Sequence, residues 1–92
     1  MKYRSRTEII SMILDSVTVG TTKTKIMYKA YLSYTQLKEY LSLLEESGMI
    51  GYEEGAQVYR ITDKGRKFLK LTIEIGDMVS SKPEEDLAKI VI

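Results

Sequence analysis

The sequence has 92 residues, of which 43% are hydrophobic and 29% charged, with a net charge of +1 and no cysteine or histidine. This length and composition favour one globular domain with a modest core. Without cysteine or histidine, the chain has no disulfide, no thiolate or imidazole zinc site, and no Cys-His or Ser-His-Asp catalytic group. No apolar run is long enough to span a membrane, and the first residues do not form a signal peptide. We therefore expect a cytoplasmic protein with no metal, no cofactor and no membrane partner.

The charges are distributed unevenly along the chain. Through Tyr40 there are seven basic and three acidic residues, whereas the remainder has seven basic and ten acidic residues. A basic half favours a positive surface on one side of the fold, as in proteins that bind nucleic acids.

Two helices are predicted in the first third of the chain. From Ser5 to Val17 the apolar residues recur at steps of three and four, which indicates one buried helical stripe. The segment TVGTTKT then breaks the pattern, and one of its threonines at 21, 22 or 24 is expected to cap a short second helix whose inner face includes Ile26.

A third helix begins at a capping box. Ser33 and Gln36 have the S-x-x-Q spacing in which each side chain bonds the backbone amide of the other residue. Leu37, Leu41 and Leu44 then form the buried stripe, and Gly48 is suited to the left-handed residue that ends the helix.

The period then changes to that of strands. Ile50 and Tyr52 precede the turn EEGA, and Tyr59 and Ile61 alternate after it, so a β-hairpin is predicted. Thr62 or Asp63 then caps a fourth helix that extends to about Ser80.

Three helices, a hairpin and a further helix are the element order of a winged helix-turn-helix domain, in which the third helix enters the major groove of DNA. The predicted fold is α+β, with a winged helix-turn-helix domain over residues 1–62. A long C-terminal dimerisation helix follows over 63–81. The tail, 82–92, is expected to be disordered or to form a short helix.

The outer face of the third helix is the predicted DNA-reading surface. A helical projection puts its hydroxyl, amine and carboxylate side chains opposite the leucines. Lysines of the second helix and an arginine of the hairpin are expected to contact phosphates. The predicted DNA-contacting residues are Lys23, Lys25, Lys29, Ser33, Tyr34, Thr35, Lys38, Glu39, Ser42 and Arg60. Arg4 and Arg6 are further candidates for phosphate contact.

Two acidic features limit this interpretation. Glu39 repels phosphates but accepts a hydrogen bond from the cytosine amino group, which favours sequence discrimination. Glu53 and Glu54 make the hairpin tip acidic, so we expect the hairpin to contact the DNA backbone at its base and not at its tip.

Three tyrosines and the adjacent glutamate pairs are better interpreted as structural or surface residues than as functional ones. Tyr28, Tyr31 and Tyr40 are expected at the edge of the core, since this is the commoner place for such aromatics. The adjacent glutamate pairs lack a histidine, a metal motif or a phosphate-binding loop, so we expect no enzymatic activity.

The chain resembles the small archaeal winged helix-turn-helix DNA-binding proteins. The likeness is carried by KTKIMYKAYLSYTQLKEYLSLLEESGMI and YRITDKGRKFL, which together span Lys23 to Leu69. The family includes proteins of roughly ten kilodaltons that dimerise through an antiparallel coiled coil of C-terminal helices. The resemblance implies a dimeric binder of double-stranded DNA that acts as a transcriptional regulator or a chromatin protein.

A homodimer is also predicted from the fourth helix itself. Phe68, Leu71, Ile75 and Met78 recur at steps of three and four and form an apolar seam, and monomers seldom expose such a stripe. The alternative is that the tail after Leu87 folds back over the seam. The competing function is a protein-protein interaction module with the same fold and no DNA contact, which the near-neutral total charge favours.

Overall fold

The computed structural model describes residues 4–80 of the chain, so the predicted tail at 82–92 lies outside the described residues. Three helices come first, α1 (Arg6–Ser16), α2 (Lys23–Lys29) and α3 (Tyr34–Glu46). A hairpin of β1 (Ile50–Glu53) and β2 (Val58–Ile61) follows, and then α4 (Asp63–Ser80). The predicted α+β order of four helices and a β-hairpin is confirmed. None of the described helices is long and apolar enough to cross a membrane.

Helix α1 begins with a capping box that was not predicted from the sequence. The Ser5 hydroxyl accepts from the amide of Glu8 at 3.1 Å, and the Ser5 amide donates to the Glu8 carboxylate at 2.9 Å. The bond from the Ser5 amide is the main cause of the lowered pKa of the Glu8 carboxyl, and the Ser5 hydroxyl lowers this pKa further. Ile13 and Leu14 behind the cap are fully buried, as their spacing predicts.

The core lies where α1, α2, α3 and the hairpin meet. Its largest fully buried side chains, all under 2% exposed, are Ile13, Leu14, Val17, Ile26, Leu37 and Leu44. Members come from the first three helices and from the turn after α1, so the core fixes how these helices are rotated about their own axes.

The end of α3 turns the chain into the hairpin. Gly48 has a φ of +76°, the left-handed conformation predicted for it. Its amide donates to the Glu45 carbonyl at 3.0 Å and the Met49 amide donates to the Leu44 carbonyl at 2.9 Å, which together make a Schellman motif. Ile50 therefore enters β1 directly from the helix end.

The hairpin is antiparallel and is held to the helices from one side. Ile50 pairs with Ile61, and Tyr52 pairs with Tyr59. Thr21, in the connection between α1 and α2, forms a bridge to Tyr59 with amide-to-carbonyl distances of 3.0 and 2.8 Å. The wing, by which we mean β1, β2 and their turn, is thus tied to the start of α2.

The first turn of α4 packs closely on the end of α3 and on the wing. The Thr62 hydroxyl accepts from the Gly65 amide at 3.1 Å and donates to the Gly48 carbonyl at 2.6 Å. A β-carbon at Gly65 would collide with the Met49 carbonyl oxygen and lie 2.7 Å from Cγ1 of Ile61. Further along, α4 lies against α1, where the Ser11 and Thr72 hydroxyls are 3.1 Å apart.

Gly65→Ala should therefore destabilise the protein. The added methyl group meets backbone, which cannot rotate away, so we expect a loss of about 1–3 kcal/mol in the free energy of unfolding. Gly55→Ala is the matched control, because a β-carbon there meets nothing within 4 Å and should leave stability nearly unchanged. Urea unfolding monitored by circular dichroism measures both. Equal midpoints for the two variants would contradict the close packing at Gly65.

Candidate nucleic-acid interface

Helix α2 presents its lysines to solvent because its other side is fixed in the core. Ile26 and the C-cap residue Ala30 are fully buried. Thr22 is the residue that caps the helix, with its hydroxyl accepting from the Lys25 amide. The three predicted phosphate-contacting residues of this helix, Lys23, Lys25 and Lys29, are all exposed.

Helix α3 has the predicted division into two faces. The capping box is present: the Gln36 amide donates to the Ser33 hydroxyl at 3.2 Å and the Ser33 amide donates to the Gln36 side-chain oxygen at 3.0 Å. Leu37, Leu41 and Leu44 are buried. The polar residues predicted to face outward are all exposed, and they are Ser33, Tyr34, Thr35, Lys38, Glu39 and Ser42.

Tyr34 joins the two helices into one surface. Tyr34 as a whole is 56% exposed. The ammonium group of Lys23, from α2, lies 5.8 Å from the ring centroid, and that of Lys38, from α3, lies 5.5 Å from it. Both distances fit cation–π attraction, which offsets part of the repulsion between two like charges. Lys23, Tyr34 and Lys38, which we call the basic triad, therefore place two cations around one exposed aromatic ring.

The two lysines of the basic triad lie at a shallow depression of about 350 Å³ between α3 and the wing. Lys23, Lys38 and Ser42 line one part of it, while Glu45 and Glu46 line another. Positive potential is therefore confined to the part near the start of α3. No single charge sign covers the whole depression.

Tyr59 forms the wing side of the same depression. It is 9% exposed, and its ring lies 4.8 Å from that of Tyr52, tilted by 52°. Burial raises the pKa of the Tyr59 phenol, and the neighbouring Glu45 carboxylate raises it further. The tyrosine therefore stays a neutral wall of the depression at physiological pH.

Arg60 points away from the core, as its alternation with Tyr59 and Ile61 predicts. Its guanidinium forms an ion pair with Glu53 of the neighbouring strand. Among the side chains that the structure describes, those of residues 4–75, this is the single ion pair of a Lys or Arg with an acidic side chain. Arg60 is therefore a predicted phosphate contact whose charge is already engaged within the wing.

Arg4 has a structural partner that was not predicted, and two tyrosines differ from the predictions. The Arg4 guanidinium donates to the carbonyls of Ala30 and Tyr31, the latter at 2.8 Å, so it holds the turn between α2 and α3, a role that the sequence did not predict. Tyr28 and Tyr31 are 70% and 77% exposed, so their expected place at the core edge is wrong, whereas Tyr40 is half-buried as expected. The exposure of Tyr28 could have been predicted from Ile26. Two residues along a helix is a rotation of about 200°, which puts Tyr28 on the side of α2 opposite the buried Ile26.

The predicted dimer seam is divided between the core and solvent. Phe68 is half-buried and packs against the core. Leu71 and Ile75 are 57% and 60% exposed. Met78 lies within α4, but its side chain is outside the described part of the chain. Two apolar side chains one helical turn apart are thus presented to solvent.

Comparison with known proteins agrees with this geometry. A family model described as winged helix-turn-helix matches residues 3–80. An uncharacterized protein of Methanocaldococcus jannaschii, MJ0287, is 31% identical over 81 residues, which are 87% of this chain and 81% of that protein. This relative is archaeal, as the resemblance implies.

Solved structures share the whole fold. The crystal structure of Sso10a-2, a DNA-binding protein from Sulfolobus solfataricus, superposes with a TM-score of 0.69 and 25% identity over 97% of this chain and 98% of that one. The transcriptional repressor CouR bound to p-coumaroyl-CoA gives 0.64 and 19%, over 96% of this chain and 62% of that one. A MarR family protein from Bacillus stearothermophilus gives 0.62 and 14%, over 97% and 69%. At the identities of the last two, the likeness concerns the fold alone.

Because the pKa of Tyr59 is raised, the free energy of unfolding varies with pH in the alkaline range. The unfolded chain loses the phenolic proton near pH 10.0, whereas the folded protein keeps it to a higher pH. The unfolded state therefore binds fewer protons in this window, and stability falls as the pH rises through it.

Tyr59→Phe should remove this part of the pH dependence. Urea unfolding of both proteins from about pH 8 to about pH 11 should show the wild type losing stability relative to the variant. Tyr28→Phe removes a surface phenol and leaves Tyr59 intact, so it should follow the wild-type profile. Parallel profiles for wild type and Tyr59→Phe would contradict the inference.

Proposed function

The chain belongs to the winged helix-turn-helix family, and we propose that it is a homodimeric protein that binds duplex DNA with α3 in the major groove. The observation that carries the proposal is the basic triad at the exposed start of α3, where Lys23 and Lys38 flank the ring of Tyr34. A recognition helix meets base edges with its first turns, so cations at this place lie where a polyanion approaches.

The exposed face divides into positioning and reading groups. Lys23, Lys25 and Lys29 of α2 supply sequence-independent phosphate contacts. Lys38 is suited to the acceptor edge of guanine, and Thr35 to a base edge or a thymine methyl group. Glu39 accepts from the cytosine amino group but repels phosphate, so it favours selected sequences over uniform coating.

The relatives support the same proposal. Sso10a-2, which has nearly the same length, is described as a DNA-binding protein. The other solved structures named above are a repressor and a MarR family protein, and their likeness supports the fold on which the proposal rests. We infer a transcriptional regulator or a chromatin-associated protein, two roles that differ in whether one DNA sequence is preferred.

The dimer is proposed from α4. Leu71 and Ile75 are exposed although they are large and apolar. Pairing of two α4 helices, with Phe68 and Met78 extending the seam, removes this surface from water. A two-fold dimer then carries two α3 helices, suited to successive major grooves about 34 Å apart.

A second candidate function is a protein-protein interaction module. Tyr28 and Tyr31, both exposed, favour it, because exposed tyrosines are enriched at protein interfaces. The two functions differ in duplex DNA binding. A DNA-binding protein has an affinity for duplex DNA that falls steeply with salt, whereas the interaction module has no DNA contact.

Binding of a labelled random-sequence duplex should weaken steeply with salt. For about 6 to 10 phosphate contacts, affinity should fall roughly a thousandfold to a hundred-thousandfold between about 50 and about 200 mM salt. Lys25→Ala should weaken binding to all duplexes alike and reduce the salt slope by about 1, whereas Lys38→Ala should relax sequence preference.

Lys70→Ala is the control for charge, because Lys70 lies on α4 in a depression shared with Thr18 and Ile73, away from the basic triad. It should bind DNA nearly as the wild type does. Absence of binding at low salt would favour the protein-interaction module. Selection of bound duplexes from a random pool separates a regulator, which enriches a motif, from a chromatin protein.

Ile75→Lys should split the proposed dimer, because it puts a charge into the apolar seam. Ile73→Lys is a matched control: Ile73 is 55% exposed but lies about 200° from Ile75 on the opposite side of α4. Sedimentation equilibrium should give a monomer for the first variant and a dimer for the second. A monomeric wild type, or dimers for both variants, would contradict this seam.

A further inference from the structure

The acidic side of the wing is not explained by DNA binding alone. Glu53 ends β1 and Glu54 begins the turn, and both are exposed. Carboxylates beside a DNA-binding helix repel phosphate. The two glutamates differ, however, because Glu53 pairs with Arg60.

The register of the hairpin explains this pair. Arg60 lies opposite Gly51, which has no side chain to cover it, and Glu53 lies opposite Val58. Glu53 and Arg60 are therefore diagonal neighbours on one face of the wing, a separation that long side chains can bridge. The Arg60 Nε donates to a carboxylate oxygen of Glu53.

The other end of the guanidinium is also in contact with the protein. A β-carbon built on Gly20 would lie 2.9 Å from both Cζ and Nη1 of Arg60 and 3.2 Å from Nη2. The guanidinium is thus packed against Gly20 while Nε is bound by Glu53. Gly20 precedes Thr21, which bridges to Tyr59, so Arg60 is held at the base of the wing, next to the start of α2.

We propose that Glu53 is an internal competitor for the wing's phosphate contact: it occupies Arg60 until a DNA phosphate displaces it. The proposal rests on the function proposed above. Carboxylate and phosphate oxygens accept from a guanidinium in the same way, so the two anions compete for the same donors. The side chains of Arg60 and Glu53 are 52% and 47% exposed, which makes the pair weak enough to be exchanged.

Glu54 provides a control within the same wing. It is the next residue along the chain, it carries the same charge, and no ion pair of Glu54 occurs among the described side chains of residues 4–75. Neutralising either glutamate removes one repulsive charge near the DNA. Only the neutralisation of Glu53, and not that of Glu54, also releases Arg60 from its ion pair.

The test compares Glu53→Gln, Glu54→Gln and Arg60→Gln by fluorescence anisotropy with one short labelled duplex at low salt. Glu53→Gln should tighten binding by about twofold to fivefold more than Glu54→Gln, the range of an exposed ion pair. Arg60→Gln should weaken binding, and adding Glu53→Gln to it should give no more gain than adding Glu54→Gln.

Each other result overturns the proposal. Equal gains in DNA affinity from Glu53→Gln and Glu54→Gln mean that Glu53 acts only through its repulsion of phosphate. Weaker binding by Glu53→Gln means that Glu53 orients Arg60 for the phosphate. Wild-type affinity in Arg60→Gln means that the wing's arginine does not contact DNA, although α3 still does.

The wild type separates this failure from failure of the proposed function. If it binds the duplex with a steep salt dependence, the three variants decide the role of Glu53 alone. If it binds no DNA, both proposals fall together. The substituted side chains are all exposed, so each variant should keep its fold. Thermal unfolding of each variant checks this.

Discussion

The rotation of α3 about its own axis is the constraint on which the rest of the surface depends. Leu37, Leu41 and Leu44 are fixed in the core, so the opposite side must face solvent. The cap at Ser33 determines where the helix begins, and therefore which residues occupy the first exposed turn. Because Ile26 fixes α2 in the same core, Lys23 and Lys38 are brought to one aromatic ring.

Local patterns predicted most of this arrangement. The stripe of leucines, the capping box at Ser33 and the glycine after α3 each act within a few residues, so the sequence alone is sufficient to place them. The exposed outer face of α3 follows from the same periodicity. The recognition of a winged helix-turn-helix fold combined these elements with their order along the chain.

Apart from the local capping box at Ser5, the contacts that sequence reasoning missed are those between distant residues. Arg4 reaches carbonyls at 30 and 31, and Thr21 pairs with Tyr59. Arg60 was correctly predicted to point outward, yet its partner was not, because the strand register had to be known before Glu53 could be placed beside it. Periodicity gives the direction of a side chain, whereas the identity of its neighbour depends on the packing of whole elements.

The bridge between Thr21 and Tyr59 has a consequence for solubility. A strand at the border of a sheet exposes amides and carbonyls that invite pairing with another chain. At Tyr59 the outer border of β2 is already occupied by the α1–α2 connection, with hydrogen bonds in both directions. The other border belongs to β1, whose four residues include one glycine and one glutamate, a short and charged template that is poorly suited to growth of an aggregated sheet.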